Sequence, residues 1–99
     1  MNALQYQSVI NKYGQNATVW LITFRDDEGW QQIIYVIAKD RRFAVSVARA
    51  LTIFDRPHLK SAITCALNEL QPGEVEMFIG PKGQPQNIAV FDAEVEDEE

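Results

Sequence analysis

The chain has 99 residues, 46% of them apolar and 23% charged, with a formal net charge of −5. That is ordinary usage for one globular domain and excludes two domains or global disorder. One cysteine, Cys65, excludes an intramolecular disulfide framework and, with no leader peptide and no apolar run near ~20 residues, points to a soluble cytoplasmic protein.

Residues 3–13 place Ala3, Tyr6, Val9, Ile10 and Tyr13 at helical spacing, and Gly14 supplies a left-handed stop. Thr18 to Arg25 is dense in β-branched and aromatic residues and reads as a strand. Asp26-Asp27-Glu28-Gly29 is a polar turn into a second strand, Trp30 to Ala38, giving an antiparallel hairpin. Both strands are apolar on both faces, so each face needs a cover. Residues 3–13 are one candidate, and a second subunit or another protein is the other.

Asp40 is an N-cap for a helix over 41–54, with Phe43, Val47, Ala50, Leu51 and Phe54 as its buried stripe. Pro57 starts a second helix, in which Leu59, Ala62, Ile63, Ala66, Leu67 and Leu70 repeat at three and four. Pro72-Gly73 ends it. Residues 74–79 form a third strand, 80–87 a hairpin loop, and 88–95 a fourth strand. The expected order is α-β-β-α-α-β-β, an α+β fold with a four-stranded, mainly antiparallel sheet and the central helix pair packed on one face. Residues 1–91 make the domain and 92–99 an acidic tail, the last strand running on to about 95.

The charge is unevenly placed. Asp92, Glu94, Glu96, Asp97, Glu98 and Glu99 are six of the fourteen acidic residues, and without them nine basic groups face eight acidic ones. Arg42, Arg49 and Arg56 recur every seven residues, which keeps them near one helix face. With Lys60 on the second helix, Arg42 and Arg49 form a candidate surface for phosphates or acidic protein groups.

Catalytic patterns are weak. His58 and Cys65 lie two helical turns apart, outside hydrogen-bond reach, and Ser61 beside His58 lacks a third partner. One histidine and one cysteine cannot make a zinc tetrad, and Gly80-Pro81-Lys82-Gly83 lacks the Ser/Thr and following helix of a phosphate loop. Glu74 and Glu76 share one solvated strand face instead of two contrasting environments. The expectation is therefore no enzyme, no cofactor, no metal and no membrane contact. It is a small acidic protein-binding module of the inhibitor, immunity, antitoxin-like or accessory-subunit kind, its tail acids meeting a basic protein, with a homodimer through the sheet as a further expectation. The alternative is a nucleic-acid-binding module using Arg42, Arg49 and Lys60, with the tail modulating access. The body is weakly charged, which disfavours it.

Overall fold

The computed structural model describes residues 1–75, 78–79 and 89–91. Its elements are α1 (Ala3–Tyr13), β1 (Thr18–Arg25), β2 (Gln31–Ile37), α2 (Arg41–Leu51), β3 (His58–Ala66), β4 (Phe78–Ile79) and β5 (Ala89–Phe91), with 3-10 turns at Leu67–Glu69 and Pro72–Glu74.

Local chemistry sets most boundaries. Asn2 caps α1: its side chain accepts from the Gln5 N–H, and the Gln5 side chain accepts from the Asn2 N–H, both at 2.9 Å. Gly14 ends α1 at φ 95°, a conformation few other residues tolerate. In the β1–β2 turn, Asp26 Oδ1 accepts from the N–H groups of Glu28 and Trp30 at 3.0 and 2.9 Å. Gly29 takes φ 97° there, so the short loop reverses the chain without strain. Asp40 caps α2 by accepting from the Phe43 N–H at 2.9 Å.

The sheet order is β3-β1-β2, with β4 and β5 both pairing β2 in the fourth position. β4 runs parallel to Tyr35–Val36 and β5 antiparallel to Gln31–Ile33. The sheet is therefore mixed, which corrects the mainly antiparallel expectation; the α+β class holds.

Each face has its own core. Ile22, Phe24, Ile34 and Val36 pack with Ala44 and Ala48 of α2 on one face. On the other, Val19, Tyr35, Ile37, Leu67 and Phe78 pack with Tyr6, Val9, Ile10 and Tyr13 of α1. The second face of the hairpin is thus covered in part by the N-terminal helix. Two polar ties hold that helix. The Tyr6 hydroxyl lies 2.6 Å from the Leu67 carbonyl and 2.8 Å from that of Leu70, and the Met1 ammonium donates to the Val75 carbonyl at 2.8 Å.

The second central helix does not form. His58–Ala66 is a strand pairing β1 along its whole length. β1 is apolar on both faces and sits between two neighbours, which pair its N–H and C=O groups on both sides. A register shift between Thr23 and Phe24 leaves Lys60 at a bulge, so Leu59 and Ala62 fall on the α2 face although three residues apart. Leu67 and Leu70 lie beyond the strand and turn into the opposite core. Ile63, expected in a buried stripe, is 58% exposed.

The buried stripe of α2 is also corrected. Ala44 and Ala48 are its buried residues, while Phe43 is 41% exposed and Ala50 is exposed. Small side chains facing the sheet let helix and strands approach closely, and Val47, Leu51 and Phe54 flank them half-buried. The expected loop 80–87, the acidic tail 92–99 and parts of the strands 74–79 and 88–95 lie outside the described residues.

Candidate functional site

The former helix neighbours His58 and Ser61 now lie on a strand. His58 instead stands 2.8 Å from Asp27 Oδ1 at the hairpin tip, and Arg56 Nε is 3.8 Å from the other carboxylate oxygen. The hydrogen bond from His58 holds the Asp27 carboxyl below the usual carboxylate range; burial opposes this and the Arg56 charge adds to it. All three side chains are more than half exposed. Cys65 is seven strand positions from His58, about 23 Å at a strand's rise per residue. Burial pushes its thiol above the ordinary value, and the Glu69 and Glu74 charges push it further. An undissociated, half-buried thiol is a poor nucleophile. No group of three or more His, Cys, Asp or Glu able to hold a metal ion occurs among the described residues. Glu76, Gly80, Lys82 and Gly83 lie outside them.

The basic residues divide. Arg42 and Arg49 stand along α2 and, with Arg41, Val45, Ser46 and Ala50, line an open depression on its outer face. Arg41 joins them because it begins the helix beside its Asp40 cap; the seven-residue spacing did not include it. Arg49 also serves the fold: its guanidinium carbon lies 5.3 Å from the Phe24 ring centroid, and Nη1 donates to the Pro57 carbonyl at 3.4 Å. Lys60 goes elsewhere. Its Nζ donates to Gln31 Oε1 at 3.0 Å. Gln32, the next residue, accepts from Thr52 at the end of α2, so Gln31 belongs to the opposite sheet face. The trio Arg42, Arg49 and Lys60 is split between two sides of the sheet.

The outer edge of β3 stands out. Leu67 N–H donates to the Ala17 carbonyl at 2.9 Å, and the register pairs Thr18 with Ala66 and Val19 with Cys65. Alternation along an antiparallel ladder then turns the N–H and C=O groups of Ala62, Thr64 and Ala66 away from β1. Ala66 bears this out, because its N–H donates to Glu69 Oε1 at 3.1 Å. Between the Lys60 bulge and the Glu69 clamp, Ala62 and Thr64 present their backbone groups outward, and no strand pairs with this edge among the described residues. Beside it, Leu21 and Ile33 are half-buried and Ile63 is exposed, an apolar strip on the α1 face of the sheet.

Comparison with protein families, curated proteins and solved structures finds no match to this chain.

The six tail acids, Asp92 to Glu99, lie outside the described residues. No helix among the described residues is long and apolar enough to cross a membrane. The β3 edge is hidden in the sequence because Leu59, Ala62, Ile63 and Ala66 fall at helical spacing. The signal available was Ile63-Thr64, a β-branched pair following Pro57.

Proposed function

We propose that the chain is a non-enzymatic protein-binding module that engages its partner by strand addition at β3. The carrying observation is the outward set of backbone groups on Ala62 and Thr64, next to an exposed Ile63. Main-chain pairing supplies affinity in such complexes, and the neighbouring side chains supply selectivity. An inhibitor, antitoxin-like protein or accessory subunit fits this description, acting in the cytoplasm.

The test is Thr64→Pro. Proline is tolerated on an edge strand where its missing N–H faces outward, so the fold survives while strand addition is blocked. A photo-crosslinker replacing Ile63 should capture protein in host cells, and capture should disappear in the Thr64→Pro background. Capture indifferent to the proline would contradict the reading.

A second reading rests on the α2 depression, where Arg41, Arg42 and Arg49 surround one surface. Such a cluster can take nucleic-acid phosphates. It predicts binding to DNA or RNA that falls steeply with salt and is lost in Arg42→Glu/Arg49→Glu.

A further inference from the structure

We infer that the partner at the β3 edge is a second copy of this chain, paired antiparallel to the first about a twofold axis at Ile63. The inference rests on the reading of that edge as the working surface. A twofold interface must be self-complementary, so each contact has to satisfy itself when reversed. Four features of β3 meet that condition.

The first is the backbone. With Ile63 on the axis, Ala62 of each copy faces Thr64 of the other. With Ala66, those are the residues between the bulge and the Glu69 clamp whose N–H and C=O groups turn away from β1. Each such pair exchanges both of its hydrogen bonds, and symmetry makes two reciprocal pairs.

The second is Ile63 itself. It then occupies the non-hydrogen-bonded position, where facing Cα atoms approach to about 4.5 Å. Side chains directly opposite in an antiparallel pair share one face. The two Ile63 side chains, each 58% exposed in the monomer, would cover one another. They also continue an existing apolar row, because Tyr35, Leu21 and Ile63 are register partners across three strands. The dimer doubles that row without interruption.

The third is charge. The same register places Lys60 of one copy alongside Ala66 of the other, whose N–H is held by the Glu69 carboxylate. Lys60 and Glu69 are exposed and of opposite sign, so each copy can contribute one member of two ion pairs once the Lys60 ammonium turns from Gln31 on β2 toward the edge. Charge opposed in this way fixes the register against slippage by one pair, which would set Lys60 away from Glu69.

The fourth is the shape of the edge. Natural sheets guard free edges with charge, proline or bulges. Here Lys60 at its bulge and the Glu69 clamp guard the two ends, and Ala62–Ala66 between them contains no charge, no proline and no bulge. The unguarded length matches what the symmetric pairing uses.

The test uses the full chain. Sedimentation velocity from micromolar to millimolar protein should show the parent passing from one to two copies. Thr64→Pro and Ile63→Lys should both remain single over that range with unchanged circular dichroism; in the lysine variant, two like charges would meet on the axis. Ile63→Cys in a Cys65→Ala background should form an intermolecular disulfide under copper–phenanthroline, because facing non-hydrogen-bonded positions lie within disulfide reach. Ser46→Cys on α2, in the same background, should not. A parent that stays single throughout, or a dimer that survives Thr64→Pro and gives no Ile63→Cys crosslink, overturns the inference. If the parent is single but Thr64→Pro abolishes capture of a different protein, the second-copy assignment falls while β3 remains the binding edge.

Discussion

The Glu69 carboxylate accepts from the Ala66 N–H at 3.1 Å and so closes the last outward donor of β3. Two roles follow, and two substitutions separate them. Glu69→Ala loses the hydrogen bond and should lower stability by roughly 0.5–1.5 kcal/mol in urea unfolding. Glu69→Gln keeps an acceptor but not the charge, so stability should stay near the parent's. Self-association should nevertheless weaken several-fold in Glu69→Gln, because Lys60 of the second copy loses its counter-charge. Equal association constants for parent and Glu69→Gln would remove Glu69 from the interface.

Leu67 and Ile63 distinguish strand from helix. Four residues apart, they would share one buried stripe if 57–70 were helical. In the folded chain Leu67 is fully buried and Ile63 is 58% exposed. Leu67→Ala should cost about 2–5 kcal/mol, whereas Ile63→Ala in dilute solution should stay within about 0.5 kcal/mol. Similar losses at both positions would restore the helix.

That pair also shows what local sequence carries. Gly14, the Asp26–Gly29 turn and the Asp40 cap each act within a few residues, and α1, β1, β2 and α2 follow them closely. β3 was hidden because the bulge at Lys60 shifts its alternation, leaving Leu59 and Ala62 at a spacing that mimics a helix. Its identity is settled by β1, far away in sequence, which needs a neighbour on each side. The arginine stripe is legible for Arg42 and Arg49 because both lie on one true helix, whereas Lys60 lies on β3 and not on a second helix. A free edge is a property of strand order, and no local pattern encodes it.

Gln32 is fully buried, and its Oε1 accepts from the Thr52 hydroxyl and, at 3.3 Å, from the Ile53 N–H. It thereby ties the end of α2 to β2. Gln32→Leu would leave both donors without this acceptor and should cost about 1–3 kcal/mol. Thr52→Val should cost less, and the double variant should fall short of the sum by more than about 0.5 kcal/mol. Strict additivity would show that the contact does not couple helix and strand.

Asp27 gives a pH signature. Its carboxyl is held below the ordinary range, chiefly by the hydrogen bond with His58. A depressed folded value contributes stability above the unfolded value of about 3.9, and that stability is lost as pH falls through the folded value. The gap in urea midpoint between parent and Asp27→Asn should therefore be largest at neutral pH and shrink below about pH 4. A gap independent of pH would show that the His58 contact does not act through the Asp27 charge.

The outer edge of β3 is the proposed working surface, and amide hydrogen exchange at Ala62 and Thr64 reads its state residue by residue. Their N–H groups face away from β1, while those of Ile63 and Cys65 face it. In dilute protein Ala62 and Thr64 should exchange rapidly beside slow Ile63 and Cys65. Raising the concentration should slow Ala62 and Thr64 by at least tenfold and leave the other two unchanged. Slow exchange at Ala62 and Thr64 in dilute protein, unaltered by concentration, would mean that the chain covers its own edge and would rule out strand addition at β3.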